Sequence, residues 1–252
     1  MMRFTMTVNH KKFLWTLIGV IVLITAWQLG AEYRGNDFYL PGPLKVTKAL
    51  FGILGESATY KVVFHSLTRL VLTFFIVSFI GIALGLLGGI NAYFDAFLRP
   101  FVSGLRTTPV ISMIVIILIL FGQNLMVYIT GFLVIFPLLY DSTKEGILNI
   151  DKGITDALAL EPVHILLKIT RQYVPLALPF IKVGLIQSFG LGFKVLVMSE
   201  YLAQTKTSIG MMLYEGRIMM EYADVFAWTL IIIVIVFGME TLLGKFKASS
   251  QS

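Results

Sequence analysis

Long apolar stretches, each about twenty residues, alternate with shorter polar segments along the chain. A helix rises about 1.5 Å per residue, so roughly 20 apolar residues are enough to cross a bilayer core of about 30 Å. Six such stretches are found, at residues 13–30, 67–90, 100–121, 125–140, 180–202 and 225–243. The pattern predicts an all-α integral membrane protein, with six transmembrane helices in a single domain that comprises residues 1–252.

The composition excludes an ordinary soluble enzyme. Of the 252 residues, 57% are hydrophobic and only 13% are charged, whereas soluble domains carry about 25% charged residues. The absence of cysteine excludes disulfides and thiolate zinc sites, and the three histidines are too scattered to indicate a metal site. The net charge of +6 is not concentrated in a Lys/Arg cluster that could follow a phosphate backbone. We expect no metal, no cofactor and no nucleic-acid partner.

The basic residues predict the orientation of the helices. If the N-terminus is inside, the cytoplasmic segments hold about twice as many Lys and Arg residues as the outer segments. With six helices, both termini are then cytoplasmic. The alternative for residues 13–30 is a cleaved signal peptide, because Arg3, Lys11 and Lys12 precede the apolar run. The run is long for that role, and no small-x-small cleavage site follows it cleanly.

The third stretch contains polar residues at membrane depth. Its uninterrupted apolar run, Val110–Phe121, covers only about 18 Å as a helix, so the span must include residues 101–108. Four residues are thereby candidates for lining a pathway: Arg106, Thr107, Thr108 and Pro109. The alternative is a helix start whose arginine extends to the interface, since arginine inside a membrane costs a few kcal/mol unless it reaches water or the bundle interior.

Besides Lys182 near its start, the fifth stretch contains two charges. Lys194 lies near its middle, and Glu200 follows six residues later, roughly 240° around a helix, so the two do not pair with each other. Each therefore needs a partner on another helix or a wet cavity. Both are pathway candidates. For Lys194, a cation offered to an anionic substrate and a structural ion pair remain open.

The second stretch contains Gly81, Gly85 and Gly89, spaced four residues apart. Small residues at this spacing let helices approach closely, so we predict a packing surface rather than a hinge. The partner helix could belong to this chain or to a second copy.

Residues 141–179 form a long connection on the cytoplasmic side. The pattern predicts two short helices separated by Pro162, with Pro175 and Pro179 ending the second helix before the fifth span. An amphipathic pair lying on lipid is the alternative. The first helix, however, carries acidic residues, including Asp156 and Glu161, which anionic headgroups would repel. A protein partner is the better explanation.

From about residue 40 to 243, the chain resembles the permease subunits of bacterial ABC importers, in the nitrate/sulfonate/taurine branch. The resemblance rests on three stretches: Leu40-Pro41-Gly42-Pro43 with Ser66-Leu67-x-Arg69; Leu105-Arg106-Thr107-Thr108-Pro109; and residues 156–162 with Pro175-Leu176-Ala177-Leu178-Pro179. Residues 156–162 resemble the family's Glu-Ala-Ala motif. They depart from it at Asp156, Leu158 and Pro162, where the family has Glu, Ala and Gly.

The resemblance implies a type I importer permease fold in a bacterial inner membrane. It implies a coupling helix that sits in a cleft of an ATP-binding subunit, comprising Asp156, Ala157, Leu158, Ala159, Leu160, Glu161, Pro162 and Val163. The implied partners are a second permease copy in a homodimer, two ATP-binding subunits, an external substrate-binding protein and the lipid bilayer. The implied cargo is a small polar or anionic solute, such as a sulfonate, taurine, nitrate or a vitamin precursor.

The chain has no phosphate-binding Gly-x4-Gly-Lys-Ser/Thr loop, so we expect ATP hydrolysis on a separate subunit and no enzyme activity here. A membrane-embedded enzyme would need clustered His, Asp or Ser groups, which the spans lack. The remaining alternative is a secondary transporter driven by an ion gradient. Such a protein would more often show broken helices and carboxylates at the midplane, where this chain has Lys194.

Overall fold

The computed structural model describes residues 3–35, 40–160 and 163–248, and the side chains in these ranges except those of 3–11, 157–159 and 242–248. All the regular elements of this part of the chain are helical. The α-helices are α1 (Arg3–Arg34), α2 (Pro43–Gly55), α3 (Ser57–Ile90), α4 (Ala92–Thr107), α5 (Val110–Leu148), α6 (Lys152–Leu160), α7 (Ile165–Lys168), α8 (Val174–Ala203), α9 (Ile209–Ile218) and α10 (Tyr222–Ala248). A π-helical turn, Ile169–Tyr173, joins α7 to α8.

Five helical segments are long and apolar enough to cross a membrane. They are Lys12–Arg34, Ser57–Ile90, Val110–Leu148, Ile165–Ala203 and Tyr222–Thr241. The sequence pattern predicted six spans. The difference arises in α5, which joins the apolar half of the predicted third span to the whole of the fourth.

Two breaks divide the region of the third and fourth predicted spans. The predicted span 100–121 is not one continuous helix, because Thr108 and Pro109 are extended, with ψ values of 129° and 128°. Proline disfavours the helical conformation of the residue before it, which accounts for the end of α4 at Thr107. Within α5, Gly122 has φ 71° and ψ −180°, a conformation that glycine adopts without a steric penalty. Residues 110–121 and 123–148 are therefore two helical segments.

The predicted connection 141–179 is largely helical. Helix α5 continues to Leu148, and α7, the π-helical turn and α8 run on without interruption. The prediction that Pro175 and Pro179 end a helix is wrong. Pro175 lies two residues after the π-helical turn, whose hydrogen-bond pattern is already irregular, and Pro179 is accommodated inside α8. Longer helices than predicted also occur at α1, α3 and α10.

One compact unit comprises the described residues up to Tyr60, together with Met212–Ile231. The indole of Trp27 in α1 donates a hydrogen bond to the carbonyl of Pro41 at 3.1 Å and stacks on the ring of Phe226 at 5.8 Å. The Leu40–Pro43 turn is thereby held against α1. Val46 of α2 is completely buried.

The second unit comprises Lys61–Met211 and the residues from Ile232 onward. A buried cluster at its centre brings together α3, α4 and α5. Its members are Val77, Val102, Ile135, Phe136, Leu139 and Tyr140. The close packing of these side chains holds α3, α4 and α5 together. The cluster therefore positions the charged residues that flank it on α4 and α5.

The three glycines of α3 lie against α5 of the same chain. A Cβ atom on Gly81, Gly85 or Gly89 would lie 2.9, 2.7 or 2.5 Å from the Cβ atoms of Leu139, Thr143 and Ile147, respectively. Both sets of residues have a spacing of four, so the two helices are in register along two turns. Only glycine permits so close an approach, as expected for a small-residue packing surface.

Candidate functional site

Helix α6 contains most of the coupling segment predicted from the sequence, and its described side chains are exposed or only partly buried. Asp151 starts the helix, because its carboxylate accepts a hydrogen bond from the backbone N–H of Gly153 at 2.7 Å. None of the described side chains of α6 is buried, and two of them are apolar: Ile154 is 43% exposed and Leu160 is 85% exposed. Asp156 is also exposed.

The rest of the predicted coupling segment is described only in part. Val163 is exposed. The backbone of Ala157, Leu158 and Ala159 is helical, but their side chains lie outside the described set, and Glu161 and Pro162 lie outside the described residues.

An apolar cluster anchors both ends of the loop that carries α6. Ile150, just before α6, and Ile169 and Tyr173, after α7, pack against the same four buried residues. These four residues are Leu86 of α3, Ile147 of α5, and Ala177 and Ile181 of α8. The described residues on either side of α6 are therefore packed against three long helices.

Glu200 lies at the centre of a buried polar cluster between α3, α8 and α9. Its side chain is completely buried, and its carboxylate lies 2.9 Å from Nη1 of Arg69. The hydroxyl of Ser66 donates to the carboxylate at 2.8 Å and accepts from the backbone N–H of Ile209 at 3.0 Å. The backbone N–H of Gly210 also points to the carboxylate, at 3.3 Å. Glu200 thus places a negative charge at the N-terminus of α9, where the helix dipole is positive. This arrangement stabilises both the helix and the charge.

The segment between α8 and α9 is held tightly to this cluster. Arg69 donates to the carbonyl of Lys206 at 3.2 Å and reaches that of Thr207 at 3.4 Å. Thr207 has φ 51°, a left-handed conformation that is unfavourable for a β-branched residue. A Cβ on Gly210 would lie 2.3 Å from the backbone nitrogen of Tyr201, so no other residue fits this close contact. The cluster fixes the end of α8 relative to the start of α9.

A second charged network joins α4 and α5. Arg106 forms an ion pair with Asp141, and Lys144 lies 3.7 Å from the other oxygen of Asp141. Lys144 also pairs with Asp95 at 2.9 Å, and the hydroxyl of Tyr140 donates to the same carboxylate at 2.8 Å. Burial acts to raise the pKa of Asp95, but the hydrogen bonds from Lys144 and Tyr140 outweigh it and hold that pKa below its usual value. These four charged side chains carry two positive and two negative charges, and Arg99 lies close enough to act on Asp95 as well.

The other predicted pathway residues are exposed on this chain. Thr107, Thr108 and Pro109 are exposed at the break between α4 and α5. Lys194 is exposed in the middle of α8, and within the described part of the chain it has no ion-pair partner. The structure therefore separates the two charges of the fifth span, because Glu200 is buried and paired whereas Lys194 is not.

Several members of these networks were not predicted from the sequence. Ser66 and Arg69 are separated by three residues and so share one face of α3, which was a usable signal for a paired site. Asp141 and Lys144 have the same spacing in α5. Nothing local, however, links Arg69 to Glu200 across 131 residues of sequence.

Comparison with known proteins identifies the family. The sequence profile for "Binding-protein-dependent transport system inner membrane component" matches residues 80–244. The bicarbonate transport system permease protein CmpB of Synechococcus elongatus is 27% identical, over 93% of this chain and 87% of the relative. The taurine transport system permease protein TauC of Escherichia coli is 26% identical, over 87% and 82%, and the putative aliphatic sulfonates transport permease protein SsuC of Bacillus subtilis is 24% identical, over 90% and 83%.

The matched profile covers well over half of the chain, and the relatives match it over most of their length. Together with the long apolar helices, this makes the chain a multi-pass inner-membrane protein and a transport component rather than an enzyme. The chain belongs to the family of binding-protein-dependent transport system inner membrane components, the ABC transporter permeases.

Proposed function

We propose that this chain forms the translocation pathway of an ATP-driven importer for a small anionic solute. The relatives carry the names of bicarbonate, nitrate, taurine and aliphatic sulfonate transport systems, which supports an oxyanion or a sulfonated organic molecule as the cargo. The observation that carries the proposal is that α6 is exposed and leaves apolar side chains uncovered. The residues on either side of it pack against a cluster that joins α3, α5 and α8.

In this proposal, α6 is the coupling helix and binds a cleft of a separate ATP-binding subunit. Leu160 and Ile154 supply apolar contact area, and Asp156 supplies a charge that fixes orientation. Closure of the ATP-binding subunits on nucleotide would push α6 and tilt the three helices beneath it. The fuel-consuming step belongs to the partner, because this sequence contains no phosphate-binding loop of its own.

We also propose six spans, with residues 100–107 of α4 and residues 110–121 together forming the third and residues 125–140 the fourth. Both termini and α6 then lie in the cytoplasm, in agreement with the excess of Lys and Arg in those segments. The complete importer contains two copies of this chain, two ATP-binding subunits and an external binding protein that delivers the solute.

The pathway is assigned to polar residues that this chain leaves uncovered. Lys194 is exposed on α8, Arg106 is exposed on α4, and Thr107, Thr108 and Pro109 are exposed at the break between α4 and α5. Charged side chains facing hydrocarbon are costly, so these residues are better accommodated in a wet cavity between two copies. We assign Glu200, which is buried and fully paired, to holding α8 and α9 rather than to contact with solute.

Co-purification with the ATP-binding subunit tests the coupling assignment. We expect Leu160→Arg and Asp156→Lys to reduce recovery of the ATP-binding subunit in detergent and to abolish ATP-dependent uptake into proteoliposomes. Leu44→Arg is the matched control, because Leu44 is a similarly exposed leucine in α2, at 70% exposure. Unchanged recovery and uptake in both α6 variants would contradict the assignment. Uptake driven by an ion gradient without ATP would instead support a secondary transporter.

A further inference from the structure

The ion pair between Arg106 and Asp141 is unevenly exposed. The side chain of Arg106 is 58% exposed, whereas that of Asp141 is 19% exposed. Only Nη1 of the guanidinium contacts Asp141, and an arginine has five N–H donors, arranged in a fork that suits carboxylate-like anions. The guanidinium of Arg106 is thus the exposed member of the pair, and the carboxylate of Asp141 is the more buried one.

The uncovered side of Arg106 is not suited to contact with lipid. Arg106 pairs with Asp141, the first residue of the connection predicted on the cytoplasmic side, so it lies near the inner face of the membrane. A charge there is stable only where water or another protein surface covers it. In the proposed importer, this is the inner end of the solute pathway.

Asp141 has a second cation available. Its Oδ1 atom lies 3.7 Å from Nζ of Lys144, while its Oδ2 atom contacts Arg106. Lys144 is 16% exposed and is itself held by Asp95 at 2.9 Å, so it cannot follow Arg106 outward. If Arg106 released Asp141, the carboxylate would still be partly neutralised. An exposed surface pair of this kind is worth only about 1 kcal/mol or less, so another anion can compete for the arginine.

We propose that Asp141 is the resting counter-ion of Arg106 and that the transported oxyanion displaces it, leaving Asp141 with Lys144. This inference rests on the proposed function for the identity of the anion. Arg106 is then a direct substrate contact, and Asp141 is a specificity-determining residue that weakens anion binding and promotes release. The displacement involves no covalent step.

Anion-dependent thermal stability of the purified chain tests the displacement without a receptor or ATP. Nitrate and methanesulfonate are titrated in gluconate buffer, and the unfolding midpoint is followed. For Asp141→Asn we expect the half-maximal concentration to fall about fivefold, the effect of losing about 1 kcal/mol of competition. For Arg106→Gln we expect the anion-dependent shift to disappear. Arg34→Gln is the control, because Arg34 is an exposed arginine at the end of α1, and it should behave as the unmodified chain.

A purely structural ion pair gives a different result. Asp141→Asn and Arg106→Gln would then lower the midpoint alike and leave its anion dependence unchanged, which would overturn the proposal. If Asp141→Asn does not fold, thiol chemistry decides, since the chain has no cysteine of its own. In Arg106→Cys, attachment of a cationic methanethiosulfonate should restore the anion-dependent shift, and attachment of an anionic one should not. Failure of the cationic reagent to restore the shift, or restoration by both reagents, would overturn the proposal.

The proposed importer function is tested by a separate uptake measurement. If the complex with its ATP-binding subunits moves no bicarbonate, nitrate, taurine or alkanesulfonate into proteoliposomes, the importer assignment is wrong. The anion titrations of the purified chain would still decide whether Asp141 competes for Arg106.

Discussion

The carboxylate of Glu200, which is completely buried, lies 2.9 Å from the guanidinium of Arg69 on α3. Ser66 and the backbone of Ile209 and Gly210 complete the hydrogen bonding around it. A buried charge is tolerated only when such partners are present, and removal of one partner leaves the other uncompensated. The pair therefore controls how firmly α8, α9 and α3 are joined.

Replacement of Arg69 by methionine should be strongly destabilising. Breaking a buried pair from one side costs about 3–5 kcal/mol, because Glu200 is left charged and buried. The double variant Arg69→Met/Glu200→Gln should lose less than the sum of the two single variants, by about 1–3 kcal/mol. Denaturant unfolding in detergent measures these differences. Glu145→Gln, which changes an exposed glutamate on α5, should have little effect, and additive single losses would contradict a direct pair.

Addition of one methyl group at Gly85 should disturb the α3–α5 contact. A Cβ there would lie 2.7 Å from both the Cβ of Thr143 and the backbone oxygen of Tyr140, so Gly85→Ala should cost about 1–3 kcal/mol through overpacking. Gly238→Ala is the matched control, because no atom lies within 4 Å of a Cβ at that helical position. Thermal unfolding in detergent measures both. Equal midpoints for the two variants would show that α3 and α5 are farther apart than described.

Substitution of Gly122 should also be destabilising, but because of its backbone conformation rather than close packing. Its φ of 71° is unfavourable for residues with a side chain, although nothing lies within 4 Å of its missing Cβ. Gly122→Ala should therefore destabilise the chain by about 1 kcal/mol. Gly104→Ala, at an equally open position in helix α4, should be neutral or slightly stabilising, since alanine favours helix by about 1 kcal/mol. Identical effects at both sites would argue against the break in α5.

The contribution of Asp95 should depend on pH. Because Lys144 and Tyr140 hold its pKa below the usual value in the folded chain, the ionised form stabilises the fold above the pKa of an unfolded aspartate, about 4. That contribution is lost as the pH falls through the lower, folded pKa. The difference in unfolding midpoint between the unmodified chain and Asp95→Asn should be largest near neutral pH and shrink below about pH 4.

The sequence predicted those features that depend on local spacing. Gly81, Gly85 and Gly89 indicated a packing surface because a spacing of four keeps them on one helix face. The apolar periods located the long helices. The polar residues before Val110 were expected to continue the helix of the predicted third span, whereas the structure breaks the helix at Thr108 and Pro109.

Features that depend on distant contacts or on irregular backbone were not predictable. The partner of Glu200 is separated from it by 131 residues. Asp141 could not be recognised as the partner of Arg106, because the two are 35 residues apart and their contact depends on how α4 packs against α5. The π-helical turn at Ile169–Tyr173 is also not indicated by composition, so Pro175 and Pro179 were wrongly expected to end a helix that continues through them.

The close glycine contacts have a mechanical consequence. Gly85 on α3 meets Thr143 of α5, and Gly184 on α8 meets Ser142 of α5, each with a missing Cβ less than 3 Å from its neighbour. Sliding or rotation at such contacts would drive backbone into side chain, so α3, α8 and residues 123–148 of α5 form one stiff body. During a transport cycle, spin-label distances within this body should stay constant, and the displacement should appear in the segments hinged at Thr108, Pro109 and Gly122.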